Sequence, residues 1–208
     1  MLYFFIVFTY IKCMFEIKTS IYNTVIVKYD SLEEFKTDVI PLYKIYLKMH
    51  NCDAILGIAG WVVMNNYWNK IVSYVNENKL GKVVNESIRK LNEFIIKTKN
   101  VRAIIFIGNE FAENHEFVHV LWHSNDEYKN EMTKLNEEYE ELYKENYKLS
   151  YKEMIRLNHY ASRVPDEMQA YLSTTIDERL NRYFKHEIPL DILEKYREVF
   201  KKFFVKNL

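Results

Sequence analysis

The chain has 208 residues, of which 49% are apolar and 28% are charged, a composition typical of a globular protein and not of a disordered one. Lys plus Arg and Asp plus Glu both number 29, so the formal net charge is zero and nothing favours nucleic acid as a partner. Four Gly and three Pro fit a helix-rich chain. Two Cys are too few for a disulfide framework, which favours a reducing, cytoplasmic compartment.

Residues 1–11 (MLYFFIVFTYI) form an apolar run at the start of the sequence. The run has no basic segment, no small-residue cleavage site and too little length to span a bilayer. We interpret it as a strand or a buried segment, so a membrane partner is not expected. Two alternatives stay open: an end that associates with a membrane, and a true first residue at Met14.

Two later segments have the composition of β-strands. Residues 21–28 (IYNTVIVK) alternate and are rich in β-branched side chains, and residues 101–107 (VRAIIFI) are mostly apolar. We interpret the second segment as a buried or edge strand, and we predict that it lies at the edge of a small sheet. Residues 53–75 are predicted to form a buried helix, although Gly57 and Gly60 leave a strand possible in the first half.

The remaining elements are predicted to be helices, so the expected fold class is α+β and mainly helical. A capping box at Ser31 opens the first helix, which Pro41 would interrupt or kink. A second capping box at Ser150 would begin a short helix. The predicted helices span 31–47, 85–97, 112–123, 127–149, 150–161, 165–184 and 191–205.

The predicted helix at 127–149 is very polar, with Met132, Leu135, Tyr139 and Leu142 at 3-4-3 spacing. This spacing fits a coiled-coil surface for a partner, or one arm of a helical hairpin packed on its own domain. The pattern lasts about three heptads, which is the lower limit for a coiled coil. We therefore favour the hairpin.

Residues 115–119 (HEFVH) form an HExxH motif, the strongest chemical signal in the sequence. His115 and His119 are four positions apart, so on a helix both imidazoles lie on one face and can reach one tetrahedral Zn²⁺. Glu116 would sit at the rim of that face, where it could take a proton from a zinc-bound water. The apolar residues that would bury the other faces of the helix are Phe117, Val118, Val120 and Leu121.

An HExxH helix after the strand at 101–107 resembles the zincin metallopeptidases, over about residues 100–175. Glu113 departs from their pattern, which has uncharged residues around the motif. The resemblance implies hydrolysis of peptide or protein substrates, with Glu116 as general base and acid and with an extended peptide aligned by β-augmentation on strand 101–107. The predicted organisation is a zincin-like catalytic core (99–185), an N-terminal α/β part of the same domain (1–98) and a C-terminal helix (186–208).

A catalytic zinc needs a third protein ligand and an open position. His123 continues the i, i+4 series, but a straight helix would place it about 12 Å from His115 along the axis. The metzincin pattern requires a Gly turn and a His at the position of Asn125, and neither is present. Two carboxylates on the later helix, Glu167 and Glu178, remain as candidates.

The context of Glu167 resembles the gluzincins, and among them the small, minimal ones. Their third ligand is a Glu on a later helix, often followed three positions on by a small residue, here Ala170. This resemblance implies one zinc per chain bound by His115, His119 and Glu167, with Glu178 as the alternative to Glu167. Tyr171 stands where many gluzincins have an Asp that supports a ligating His, so that support must come from elsewhere. Glu167 could instead be a first-turn carboxylate that stabilises its helix.

Some residues near the motif have less certain roles. His159, Tyr160 or Tyr171 could stabilise a transition-state oxyanion, and we interpret Glu110 and Glu113 as solvated charges. A second hypothesis competes with the peptidase: a non-catalytic helical interaction protein with an accidental or structural HExxH. Only the peptidase predicts about one tightly bound zinc per chain, and neither hypothesis specifies an oligomeric state.

Overall fold

The computed structural model describes residues 15–19, 23–49, 60–78, 86–98, 100–109, 112–157 and 161–205. Contacts between Cα atoms divide the chain into two compact units, Met1–Glu113 and Asn114–Leu208. Most of the described elements are helices, and the described strands form one small sheet, which confirms the predicted α+β class. Among the described residues, no helix combines the length and the hydropathy needed to cross a bilayer. The apolar run at 1–11 lies outside the described residues.

A four-stranded sheet organises the first unit, in the spatial order β1-β2-β4-β3. β1 pairs antiparallel with β2, β2 pairs parallel with β4, and β3 pairs antiparallel with β4. The register places Val25 and Val63 on either side of Ile104. The strands are β1 (Phe15–Thr19), β2 (Thr24–Tyr29), β3 (Gly60–Met64) and β4 (Ala103–Ile107).

β4 is an interior strand, so the prediction of an edge strand at 101–107 is wrong. Each residue from Ala103 to Ile107 pairs with β2 on one side and with β3 on the other. An interior strand has no free row of N–H and C=O groups and cannot align a peptide by β-augmentation. The run AIIFI indicates burial, and all five residues are buried. Burial alone does not indicate how many neighbours a strand has.

The helix predicted for 53–75 is correct only in its second half. Gly60–Met64 is β3, the strand that Gly60 had left possible, and a helix begins at Asn65. Trp61 and Val63 are buried and alternate with partly exposed neighbours, as in a strand with one covered face. The alternation cannot be recognised in the sequence GWVVM, because its partly exposed and buried positions after the glycine are all apolar. Gly57 lies outside the described residues.

In the described part of the first unit, three helices pack: α1 (Leu32–Met49), α2 (Asn65–Glu77) and α3 (Glu86–Lys97). The hydroxyl of Ser31 accepts a hydrogen bond from the Glu34 N–H at 3.2 Å, as the predicted capping box requires. α1 continues past Pro41 to Met49 without interruption. In the core, the indole of the fully buried Trp68 on α2 donates to the Asn92 side chain on α3 at 3.0 Å.

The rest of the described chain is helical. Its elements are α4 (Ala112–Ser124), α5 (Asp126–Leu142), α6 (Lys144–Arg156), a 3-10 turn (Ala161–Arg163), α7 (Val164–Thr174), α8 (Asp177–Phe184) and α9 (Leu190–Val205). The polar helix predicted for 127–149 is therefore two helices, α5 and α6, which meet at Tyr143.

The helix start predicted at Ser150 is wrong, because Ser150 lies in the middle of α6. Its side chain is fully buried. Its hydroxyl lies 3.0 Å from the Tyr139 hydroxyl and 3.1 Å from His186 Nε2. Both partners are distant in sequence, so tertiary hydrogen bonds satisfy the hydroxyl that the pattern assigned to a local cap.

The helix predicted for 165–184 is divided into α7 and α8 at Thr175 and Ile176. Thr175 has an extended backbone with ψ of 139°. Its carbonyl accepts a hydrogen bond from Arg197 of α9 at 2.9 Å, which satisfies a backbone group freed by the break. Ile176, which follows, is 57% exposed. The sequence did not predict this break, since the stabilising partner comes from another helix.

α5 packs inside its own unit, as the hairpin interpretation requires. Met132 and Tyr139 are fully buried. The Asn136 side chain donates to the carbonyl of Pro165 at 3.3 Å and accepts from the hydroxyl of Tyr196 on α9. The apolar face of α5 is therefore part of the core of the second unit.

Replacing Met132 with Ala is expected to lower the free energy of unfolding by about 2–5 kcal/mol, because it leaves a cavity in the core. Leu142 belongs to the same spacing pattern but is 58% exposed, so Leu142→Ala should change stability by less than about 0.5 kcal/mol. Urea denaturation of the two variants measures both values. Equal effects at the two positions would contradict the hairpin packing.

Candidate metal centre

α4 presents the motif histidines on one face. Val118, Val120 and Leu121 are fully buried and fix the rotation of the helix. The rings of His115 and His119 lie one turn apart, with centroids separated by 5.0 Å and planes inclined by 83°. His119 is buried and His115 is half-buried.

α7 brings Glu167 to these two histidines. The Oε2 atom of Glu167 lies 3.7 Å from His115 Nε2 and 3.6 Å from His119 Nε2. One ligand atom from each of the three residues falls within a group of atoms no more than 4.8 Å apart. The three residues predicted as ligands are therefore close together and could hold a metal ion.

The donor chemistry of the three residues suits a zinc ion, and so do the two distances from Glu167. Two imidazole nitrogens and one carboxylate oxygen are ordinary zinc ligands, with bonds of about 2.0–2.1 Å. Ligand atoms at the corners of such a tetrahedron lie about 3.4 Å apart. The two distances from Glu167 Oε2, 3.7 and 3.6 Å, are close to that value.

The other two candidate ligands do not join the group. His123 Nε2 lies 3.2 Å from Asp166 Oδ2 and is directed at that carboxylate. Glu178 is exposed on α8 and is not part of the metal-binding group found among the described residues.

Asp166 is a residue of the site that the sequence did not predict. Its Oδ1 atom lies 2.8 Å from His119 Nδ1, and its Oδ2 atom contacts His123. A carboxylate on the second ring nitrogen fixes the orientation of a ligating histidine. Asp166 therefore gives His119 the support that Tyr171 cannot provide. The only feature of the sequence that could have identified Asp166 is its position directly before Glu167.

Tyr171 packs against His115 through its ring. The two ring centroids are 4.7 Å apart in an edge-to-face arrangement, and the Tyr183 ring lies 4.9 Å beyond, also edge-to-face. Burial, and then the charge of Glu167, raise the pKa of the Tyr171 hydroxyl, which therefore remains protonated. Tyr171 stays a candidate hydrogen-bond donor to a transition state.

Of the other candidates, His159, Tyr160 and Glu110 lie outside the described residues. Glu113 is partly exposed and pairs with Lys28 of β2. This arrangement fits the interpretation of Glu113 as a first-turn charge in contact with solvent.

The buried charges shift one another's pKa values. Burial raises the pKa of Glu116, although the two histidines oppose this. Burial alone would lower the pKa of His119, but the charges of Asp166 and Glu167 outweigh it and raise the pKa to about 10. Burial would raise the pKa of Asp166, but His119 outweighs it and lowers the pKa to about 2. At neutral pH the site thus contains an imidazolium paired with carboxylates.

We expect zinc binding to release about one proton per site at neutral pH, because His119 must lose its Nε2 proton to bind a metal. A raised histidine pKa stabilises the fold fully below the unfolded value of about 6.5, and this stabilisation is lost as the pH rises through about 10. Zinc affinity should accordingly increase about tenfold per pH unit up to that value. Calorimetric titration in buffers of different ionisation enthalpy counts the protons. Binding without proton release between pH 7 and 9 would contradict the ion-paired state of His119.

No protein-family model, no curated protein and no solved structure matches this chain.

Proposed function

We propose that this chain is a zinc-dependent peptidase, with one zinc ion bound by His115, His119 and Glu167. The observation that carries the proposal is the convergence of two Nε2 atoms and one Oε2 atom beside a buried Glu116. Three protein ligands leave a fourth position open, which is the arrangement of catalytic zinc sites and not of structural ones.

When bound, zinc supplies Lewis-acid polarisation of the scissile carbonyl and acidifies water enough for attack near neutral pH. Glu116 is the residue that moves protons. Its carboxylate accepts a proton from the attacking water and then donates it to the leaving amine. Burial raises the pKa of Glu116, which brings the group closer to the operating pH, where general acid–base catalysis is most effective.

Asp166 holds His119 during this chemistry. Its carboxylate accepts from the Nδ1–H of His119, so Nε2 is the nitrogen that faces the proposed metal position and that loses its proton when a metal binds. Tyr171 fills the space beside His115 and keeps that ring from turning away. Both metal-binding histidines are thereby held by contacts outside the ligand group.

The alternative is a non-catalytic helical interaction protein with an incidental HExxH. Its main support was the polar segment at 127–149, read as a surface for a partner helix. In the structure, the apolar side chains Met132 and Tyr139 of this segment are buried within the second unit. A histidine pair supported by a buried carboxylate also has no role in that alternative.

Removal and return of the metal test the proposed function. Zinc-loaded protein should cleave an unstructured polypeptide, a chelator should abolish cleavage, and stoichiometric zinc should restore it. His119→Ala lacks one of the proposed ligands and serves as the negative control. Loaded wild type that cleaves no unstructured substrate, or cleavage that survives chelation, would refute the peptidase.

A further inference from the structure

A continuous chain of buried hydrogen bonds connects α5 to His119. The Tyr128 hydroxyl on α5 donates to Gln169 Oε1 at 2.7 Å. The Gln169 amide donates from Nε2 to Asp166 Oδ1 at 3.0 Å. Asp166 Oδ1 lies 2.8 Å from His119 Nδ1. Tyr128 and Gln169 are both 0% exposed, so water does not compete for these groups.

The donors and acceptors in this series of hydrogen bonds can be arranged in only one way. The amide NH₂ of Gln169 must face the Asp166 carboxylate, because the reverse orientation would place two oxygen acceptors against each other. The amide oxygen of Gln169 then faces the Tyr128 hydroxyl, which must donate its proton to it. The Asp166 carboxylate can only accept, so the proton in its contact with His119 belongs to Nδ1. Nε2 is therefore the nitrogen that binds a metal, once it has lost its own proton.

A role in core packing alone does not explain these residues. Full burial of a phenol hydroxyl and a primary amide is unfavourable unless their hydrogen bonds are made, and apolar side chains of similar size would fill the same space. All three hydrogen bonds lead toward Nδ1 of His119, which is one of the predicted ligands. The position that many gluzincins use for such support holds Tyr171, which contacts His115 by its ring instead.

We propose that Tyr128 and Gln169 are positioning residues that hold the Nδ1 proton and the ring orientation of His119 through Asp166, and so set the metal affinity of the site. This inference rests on the proposed function in one respect, namely that His119 Nε2 is a metal ligand. It adds a link between α5 and the metal centre that the ligand residues alone do not provide.

The chain contains a matched control for Tyr128. Tyr139 lies on the same helix, is also 0% exposed, and has its hydroxyl 3.0 Å from Ser150. Tyr128→Phe and Tyr139→Phe therefore each remove one buried phenol hydroxyl from α5 with its hydrogen bonds, which involve Gln169 and Ser173 for Tyr128 and Ser150 for Tyr139. Only the first should weaken zinc binding, by roughly two- to tenfold, which is the effect of one hydrogen bond of ordinary strength. Asp166→Asn should weaken it by about 10- to 100-fold.

A spectroscopic measurement separates positioning from general loss of stability. In ¹⁵N-labelled protein, the Nδ1 proton of His119 should give a slowly exchanging, downfield signal. Tyr128→Phe should shift this signal and speed its exchange with water, whereas Tyr139→Phe should leave it as in wild type. Equal zinc affinity in the two variants together with an unchanged Nδ1 signal in Tyr128→Phe would overturn the proposal.

A second variant covers the case in which Tyr128→Phe disturbs folding. The double variant Tyr128→Phe, Gln169→Met leaves neither an amide nor a hydroxyl unsatisfied, and the same two readouts apply to it. If wild-type protein binds no zinc at all, the proposed function fails, and the Nδ1 signal recorded without zinc still tests the chain. A shifted signal in that case supports the positioning of His119, and an unchanged one refutes it.

Discussion

Replacing Glu116 with Gln is expected to lower the kcat of peptide hydrolysis by about 10²–10⁴-fold, the usual contribution of a general acid–base group. Zinc content should not change, because Glu116 is not one of the three ligand residues. Gln keeps the size of the side chain but cannot accept the proton of the attacking water. The loss should therefore appear in kcat, with a smaller effect on KM.

Glu113 offers a control on the same helix. Its side chain is about one-third exposed and pairs with Lys28 instead of facing the metal-binding group. Glu113→Gln makes the identical chemical change and should leave both zinc content and turnover close to wild type. If Glu116 were only structural, Glu116→Gln would change stability by about 1 kcal/mol and leave turnover intact. Equal cleavage by Glu116→Gln and wild type would remove Glu116 from the mechanism.

The three residues of the candidate metal centre could be predicted because local geometry determines most of their arrangement. A spacing of four residues on a helix places His115 and His119 on one face regardless of the surrounding fold. Glu167 was predicted from the start of the helix that carries it and from the resemblance to the gluzincins. The structure brings all three together.

The supports of the site could not be predicted, because they depend on how separate helices approach one another. Asp166 and Glu167 are adjacent in sequence, yet they contact opposite nitrogens of the His119 ring. Which of the two carboxylates faces which nitrogen follows from the packing of α7 on α4. Gln169 and Tyr128 join the site through the same packing, and neither belongs to a recognisable motif.

The fold shows the same division between local and tertiary information. Amphipathic spacing located most of the helices, but it continues through the break at Tyr143 and through the break at Thr175. At Thr175 the separation depends on a hydrogen bond from Arg197 of a later helix. The run 103–107 indicated a buried strand, whereas its interior position depends on pairing with β2 and β3.

The second large effect is expected at Glu167. Glu167→Ala removes one of three ligands and should weaken zinc binding by more than about 100-fold, beyond the range seen for residues that only support a ligand. Glu178 is the matched control, because it is the other carboxylate proposed as third ligand and is exposed on α8. Glu178→Ala should bind zinc like wild type.

Competition with a zinc-sensitive chelator measures both affinities, and near-UV circular dichroism checks that each variant keeps its packing. Glu167→Ala also removes the carboxylate that lies 3.6 Å from His119 Nε2, while Asp166 continues to hold Nδ1. The histidine should therefore keep its orientation, and the lost affinity should reflect the missing ligand bond. A larger loss in Glu178→Ala than in Glu167→Ala would instead place the third ligand on α8, and the metal centre described by His115, His119 and Glu167 would be wrong.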